Sequence, residues 1–468
     1  MKITWIFILL VPFFKNIISK KIEKTNNQNS WKNLNINRVI DLSKSYVKET
    51  TTIIIQNIGD SPLDEYFWVI SNNITDKISY IEVKEENEQI LLLDLIPLKK
   101  SPFNDIKLYT IKLSKPVLPN NFITIEINMA IVNILKPLPP VFSQSQNQYL
   151  IWEGFKYSLS FYSTDKQKTH IKIDNKDILS HSQYNENNSI NPIWSKPYLI
   201  YSFHNIVKPF SKDVIFVHYK YNEPITVIKQ LEREIEVSHW GNNIAVKNTY
   251  SITNAGVKLK EKFSRIKWNQ QLYYNTFHAV ISSLKINLKA GTRDTYHVDE
   301  IGIVSTSEFV SNPKNTHIII KPRYPVFGGW NYSCTVGWNL DLNRFLKKKN
   351  SRIYILKIPF IEGPMNAYYE NVSVNIILPE GSRILNVISR IPISESRTSI
   401  HKTYMDVVGR TSIKLFSKNI IDTVSSEYIF ILYDYPIFEN FRKPLTVSIT
   451  ISLLFLISSF LKKFQINF

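Results

Sequence analysis

Cysteine is nearly absent: Cys334 is the one thiol in 468 residues. A single thiol can form no intrachain disulfide and no multi-thiolate metal site. Glycine is scarce at 12, and no G-x-G-x-x-G, G-x-x-x-x-G-K or G-x-S-x-G occurs. The backbone cradles that hold nucleotide phosphates, and the turn that presents a serine nucleophile, are therefore missing. The nine histidines include no H-E-x-x-H and no pair at helical spacing, which leaves a zinc hydrolase without visible ligands. No D-x-D pair offers to hold a sugar-nucleotide metal. Neither a cofactor nor a metal is expected. Acidic residues are outnumbered, 39 Asp and Glu against 57 Lys and Arg, for a net charge of +18.

What is present argues for a folded, β-rich chain. Hydrophobic residues make up 44% and aromatics 13%, far more than a disordered segment carries. Strict alternation in Ile123-Thr-Ile125-Glu-Ile127-Asn-Met129 is the period of a half-buried strand. Thr51–Gln56, Ile171–Asp174, Val214–Tyr219, Ile353–Pro359, Val372–Leu378 and Tyr428–Tyr433 are further strands, rich in Ile, Val, Tyr and Phe. Pro-dense segments at 136–140 and 321–325 break any helix. The alternating Glu232, Glu234 and Glu236 read as one solvated strand face. The basic residues are scattered along the body, not gathered in a stripe with stacking aromatics, so no nucleic-acid partner is expected.

The two ends address the compartment. Lys2, an apolar run from Ile3 to Phe14 and a small residue at Ser19 form the pattern of a secretory signal over residues 1–19. Leu445–Leu461 is uncharged and apolar, at the lower end of the length that crosses a bilayer as a helix. Pro444 suits its first turn, and Lys462-Lys463 close it at the interface. A single-pass type I protein follows, with a translocated body and a short cytosolic tail over residues 462–468. Four N-x-[ST] sequons, at Asn73, Asn187, Asn331 and Asn371, become permissive glycosylation sites in such a body. An Asn-rich chain of this composition yields about as many by chance.

A weak internal repeat divides the body. Arg38-Val-Ile-Asp41-Leu-Ser43 recurs in type as Arg233-Glu-Ile-Glu236-Val-Ser238, and each leads on to Asn-x-Gly, at Asn57-Ile-Gly59 and Asn254-Ala-Gly256. A second pair in the same order is Gly154-Phe-Lys-Tyr157-Ser158 and Gly329-Trp-Asn-Tyr332-Ser333. Two β domains of similar topology are expected, at residues 20–228 and 229–440.

Glu236-Val-Ser-His239-Trp240-Gly241-Asn resembles a stretch of the ribophorin I family, the first subunit of oligosaccharyltransferase in the endoplasmic reticulum. Further stretches match in order: Phe263-Ser-Arg265, Asp299-Glu300-Ile-Gly302, Pro322-Arg323-Tyr-Pro325 with Phe327-Gly328-Gly329-Trp330, Ile377–Gly381 and Tyr404–Arg410. The earlier half matches through Asp41-Leu-Ser43, Gln144-Ser145 and Trp152-Glu153-Gly154. The resemblance implies a mainly β fold of two tandem lumenal antiparallel β domains, saddle-like and similar to the N-terminal domain of M1 aminopeptidases, plus one C-terminal transmembrane helix. It implies a non-catalytic subunit of the endoplasmic reticulum membrane. Its partners would be the multispanning catalytic subunit, other small membrane subunits of the complex and the nascent polypeptide. Ribosome contact is not expected, because the long cytosolic tail of animal members is lacking. His239, Trp240, Gly241, Phe327, Gly328, Gly329 and Trp330 are then structural residues: Gly328-Gly329 suits a positive φ or a close backbone approach, and Trp330 suits core packing or an interface. Two alternatives stay open: a type I adhesion or receptor module built from the same β domains, and a peptidase-like enzyme suggested by the saddle resemblance.

Overall fold

A computed structural model describes residues 30–85, 90–96, 105–174, 177–183, 190–274, 279–312, 316–403 and 406–465. The expected signal, the sequon at Asn187, Tyr404 and the last three residues lie outside these. Two seven-stranded sheets dominate. The first is built from β1 (Trp31–Asp41), β2 (Val47–Asn57), β3 (Ile78–Glu85), β4 (Phe122–Ile131), β5 (Thr164–Lys172), β6 (Ile190–Ser195) and β7 (Tyr198–Phe203). The second is built from β8 (Thr226–Ser238), β9 (Asn243–Asn254), β10 (Arg293–Asp299), β11 (Asn331–Asp341), β12 (Ala367–Glu380), β13 (Glu395–His401) and β14 (Arg410–Ile421). Spatial order is β6-β7-β5-β1-β2-β4-β3 in one and β13-β14-β12-β8-β9-β11-β10 in the other. Adding seven to each label of the first sheet reproduces the second.

The correspondence extends to smaller sheets. Leu63–Ser71, Ile106–Val117 and Leu92–Ile96 form a three-stranded sheet, matched by Leu284–Leu288, Thr316–Ile320 and Glu308–Ser311. A four-stranded sheet in each half pairs Tyr149–Phe155 with Val214–Lys220, and Ile353–Pro359 with Tyr428–Asp434. Even the irregularities recur. The β1–β2 ladder slips at Leu34, between Asn33 and Asn35, and the β8–β9 ladder slips 195 residues later at Lys229, between Ile228 and Gln230. A bulge of this kind bends its strand and increases twist, so both sheets curve at the same place.

Each large sheet is antiparallel except for one pair. β1 runs parallel to β5, and β8 runs parallel to β12. Strand alternation hides this, because the parallel partner lies more than a hundred residues away. Along β2 and β9 alternate residues are buried, so each sheet has a core face and an open face. The core of the second half gathers Leu231, Ile235, Val246, Tyr250, Trp338 and Val374. Trp31, Ile36, Ile53, Tyr66 and Ile125 do the same for the first. Cys334 is 3% exposed, and burial pushes its thiol up to about 12.

The chain divides into two compact units, residues 1–136 with 150–220, and residues 137–149 with 221–468. Position 228, the expected junction, falls inside β8. A short segment of the first half thus belongs to the second unit, where Val141–Phe142 pairs in parallel with Lys258–Leu259.

Helices are few. α1 (Asn72–Thr75) is a single turn, and α2 (Arg265–Tyr273) is capped by Ser264, whose side chain accepts from the Lys267 amide. α3 (Arg442–Gln465) spans 24 residues and contains the expected Leu445–Leu461. It is long and apolar enough to cross a membrane, and its apolar window is not buried against the protein. At 1.5 Å per residue it is roughly 36 Å long, against about 30 Å for a hydrocarbon core.

Candidate functional site

The seven residues expected to be structural, His239, Trp240, Gly241 and Phe327–Trp330, fall at opposite ends of the second sheet. One group is at the end where β9 finishes, and the other is in the hairpin where it starts. Eleven residue steps of about 3.3 Å separate them by roughly 36 Å.

At the far end, Asn254 Nδ2 donates to the carbonyls of Ala279 (2.7 Å) and Val326 (3.0 Å), while its Oδ1 accepts from Gly256 N (2.9 Å). Asn57 does the same in the first unit: Nδ2 donates to Ser61 and Val117 carbonyls, and Oδ1 accepts from Gly59 N. The Asn-x-Gly motif is therefore a side-chain clamp that ties a strand end to the turn before the next strand. That turn is Phe327–Trp330 in the second unit, closed by Trp330 N to Phe327 O at 2.9 Å. Its counterpart is Leu118-Pro119-Asn120-Asn121, closed by Asn121 N to Leu118 O at 3.1 Å. Both have a positive φ at the third residue, +64° at Asn120 and +81° at Gly329, as a type II turn requires. Gly154, aligned with Gly329 by the sequence repeat, instead lies in the strand Tyr149–Phe155, whose counterpart is Ile353–Pro359. That second pair is a coincidence of residue type.

Gly328 has a different duty from Gly329. A Cβ on it would lie 2.1 Å from Val257 O and 2.5 Å from Gly256 O, so only glycine allows the two chains to meet. Phe327 is fully buried, with its ring 5.6 Å from Phe263, 5.9 Å from Trp268 and 5.5 Å from Trp330. Trp330 is half-buried against this cluster.

At the near end, His239–Asn242 joins β8 to β9. Gly241 N donates to Ser238 Oγ (3.1 Å), and Asn242 turns the chain with φ +46°. The turn splits its two large side chains. His239 points inward among Tyr354, Tyr433 and Tyr435, with Nε2 2.6 Å from Tyr433 Oη, and burial pulls its pKa down to about 4. Trp240 points outward and is 79% exposed.

Beside them lies a cavity of about 180 Å³ lined by Glu236, His239, Trp240, Glu380, Arg410 and Lys443 among others. Its walls are cross-linked by charge. Arg410 pairs with Glu236 and, at 3.3 Å, with Asp406. Lys443, in the first turn of α3, reaches Asp406 Oδ1 at 2.7 Å. Burial works to raise the Asp406 pKa, but hydrogen bonds from Lys443 and Thr403 outweigh it and hold the carboxyl well below its usual range. Glu380 Oε1 accepts from the amides of Val407 (2.7 Å) and Val408 (2.8 Å), fixing the loop before β14. The arrangement is a tether between sheet and helix. Among the described residues, no three His, Cys, Asp or Glu side chains gather as a metal site needs.

Two buried ion pairs join residues that no motif in the sequence links. Arg38 meets Glu49 in a bidentate pair (2.6 and 2.8 Å) and donates to Phe155 O. At the same place in β8, Arg233 donates to Glu362 Oε2 (2.7 Å) and Asn248 Oδ1 (3.1 Å). The one trace of them in the sequence is the arginine that heads both copies of the repeat, at a position that falls on the buried face of β1 and β8. Of the sequons, Asn73, Asn331 and Asn371 are exposed, on α1, β11 and β12. The Asn331 side chain accepts from Thr253 Oγ1, and Asn371 Nδ2 donates to Lys229 O.

A family model described as Ribophorin I matches residues 31–462. Dolichyl-diphosphooligosaccharide–protein glycosyltransferase subunit 1 of Schizosaccharomyces pombe is 30% identical over 86% of this chain and 89% of its own length. Its counterpart in Caenorhabditis elegans is 28% identical over 90% of this chain and 70% of its own. Subunit 1A of Arabidopsis thaliana is 27% identical over 94% and 69%. Among solved structures, an M1 zinc metallopeptidase from Deinococcus radiodurans overlaps 45% of this chain and 42% of its own, at 9% identity and a TM-score of 0.27. Leukotriene A4 hydrolase from Saccharomyces cerevisiae overlaps 42% and 30%, at 10% identity and the same TM-score. Overlaps that loose have no bearing on activity.

Proposed function

The chain belongs to the ribophorin I family, and from that premise we propose that it is a non-catalytic subunit of oligosaccharyltransferase in the endoplasmic reticulum membrane. The observation that carries this is the extent of the match, which takes in both seven-stranded sheets and α3. α3 anchors the chain in a single pass. The two β units stand in the lumen, where they assemble and stabilise the complex and present acceptor polypeptide to the multispanning catalytic subunit. That subunit transfers a preassembled glycan from dolichyl diphosphate to Asn of N-x-S/T sequons.

The chemistry on this chain supports a scaffold. Among the described residues the polar clusters built around Asn57, Asn254, Arg233 and Asp406 are tethers and clamps with partners inside the same unit. The exposed Asn73, Asn331 and Asn371 are themselves candidate acceptors.

Extraction from membranes in mild detergent, followed by affinity purification of the full chain, tests the reading. Co-purification of the multispanning glycosyltransferase subunit is expected, together with lower sequon occupancy on secreted proteins after depletion. A chain recovered alone at the cell surface, with occupancy unchanged on depletion, would replace the scaffold by an adhesion or receptor module.

A further inference from the structure

The hairpin end of the second sheet exposes apolar side chains that its own unit does not cover. Trp240 is 79% exposed, Phe438 87%, Phe441 60%, Val407 60% and Val408 50%. They are not scattered. Phe438 and Phe441 immediately precede α3, and Trp240 and Lys443 line one cavity. Val407 and Val408 are pinned by Glu380, a further wall of that cavity.

The position of α3 says what covers them. Lys443 is two residues, about 3 Å of helix rise, before Leu445, where the apolar segment starts. The interfacial layer on each face of a bilayer is roughly 5–8 Å deep. Side chains level with Lys443 and just before it therefore stand in that layer. Tryptophan suits it, with an apolar ring body and one N–H for the headgroups. The Lys443–Asp406 and Asp406–Arg410 pairs keep the sheet from lifting away from the helix.

From this geometry we infer that the hairpin end of the second sheet seats on the bilayer. Trp240, Val407, Val408, Phe438 and Phe441 occupy the headgroup–acyl boundary of the membrane that α3 crosses, and they fix the tilt of this unit over it. The occupant is the phospholipid interface itself. The inference rests on α3 spanning that bilayer.

The test uses the full chain in nanodiscs of phosphatidylcholine with and without brominated acyl chains. Because Cys334 is buried, a single introduced cysteine carries the fluorophore: Trp240→Cys, Phe438→Cys, Leu454→Cys within α3, or Ile301→Cys. Ile301 is 79% exposed and follows Asp299, which pairs with Cys334 seven residues along β11 from the hairpin end. Labels at 240 and 438 are expected to emit blue-shifted and lose on the order of half their intensity to brominated lipid, as a group 5–10 Å into the boundary should. Leu454 should be quenched too, and Ile301 left untouched. Quenching at Leu454 with none at 240 and 438 overturns the seating while α3 still spans. Absence of quenching at Leu454 overturns the span and the seating with it. A blue shift without quenching at 240 means protein covers the surface, which also overturns the inference. If the cysteine variants misfold, Trp240→Phe serves: brominated lipid should quench less tryptophan emission in it than in the parent, and equal quenching refutes the seating.

Discussion

Replacing Arg233 by methionine removes the cation of a pair that water does not reach. The Arg233 side chain is 0% exposed and Glu362 3%, with Nη2 and Oε2 2.7 Å apart. Taking away one partner strands the other as a buried charge, which costs about 3–5 kcal/mol. Among the described residues Arg233 Nε and Glu362 Oε1 have no hydrogen-bond partner, so the pair is less fully satisfied than Arg38–Glu49. Removing both charges, as in Arg233→Met with Glu362→Leu, should therefore recover most of the loss, leaving about 1 kcal/mol for the bond that Asn248 Oδ1 no longer accepts. For a unit of this size each kcal/mol moves the midpoint by roughly 2–4 °C, so the single variants should melt about 6–20 °C early. Two units make one global Tm ambiguous. Hydrogen exchange on the full chain in micelles reads the loss locally, in the amides of β8 and β12, while β1 and β5 stay protected. Arg38→Met should give the mirror result. A single-variant cost under about 1 kcal/mol, a loss shared equally by both sheets, or a double variant no better than either single refutes the reasoning.

Three further outcomes follow from the same geometry. His239 stays neutral down to about 4 in the fold but titrates near 6.5 when unfolded, so its contribution is complete above pH 6.5 and is lost as pH falls toward 4. The full differential is near 3 kcal/mol, and about 1–2 after discounting for partial exposure. Urea midpoints at pH 7 and 4.5 should differ less for His239→Asn than for the parent, and an equal difference removes the role. Gly328→Ala forces a Cβ against two backbone carbonyls and should cost at least about 2 kcal/mol. Gly329→Asn should cost under about 1 kcal/mol, since Asn120 already holds the equivalent positive φ, and the reverse ranking in a denaturation series would be fatal to the assignment. Asn57→Ala and Asn254→Ala each remove two donated bonds and one accepted bond. Each should cost about 2–4 kcal/mol, read as exchange rates at the matching strand ends.

Period-two alternation carried the strands: Ile353–Pro359 is a strand with those bounds, and Thr51–Gln56 lies within β2. It could not carry the parallel pairs, because alternation records which face a residue takes and not which strand lies beside it. The Asn-x-Gly repeat was legible because the asparagine side chain makes the same three bonds in both copies, so its identity is constrained. The true counterpart of Phe327–Trp330 was not, since a type II turn accepts Pro119 or Gly328 at its second position and Asn120 or Gly329 at its third. Leu-Pro-Asn-Asn and Phe-Gly-Gly-Trp share no residue although they make one structure. The arginines themselves repeat in the sequence, but their burial and their partners could not be read from it. Charge reads as surface, and Glu362 lies 129 residues beyond Arg233. At the hairpin, His239-Trp240 stood out by resemblance alone, and which ring turns inward depends on tyrosines more than a hundred residues away.

Because the two halves repeat a frame down to its bulge, differences between equivalent positions isolate what is specific to each. The β1–β2 connection buries its large side chains: Leu42 and Tyr46 are both 0% exposed. The β8–β9 connection, at the same place in the second frame, exposes Trp240. Packing within the frame does not demand that tryptophan, since the first copy closes without one. Leaving it in water forfeits about 1.5–3 kcal/mol that burial of a large apolar side chain returns. The half that carries α3 is the half that pays it, at the end of the sheet where the helix begins. The other departures cluster likewise: Lys443 and Arg442 answer Asp406 and Glu439 around the start of α3. The cost is recovered if something apolar meets the exposed face, and the bilayer that α3 is long and apolar enough to cross, starting two residues after Lys443, is the nearest such surface.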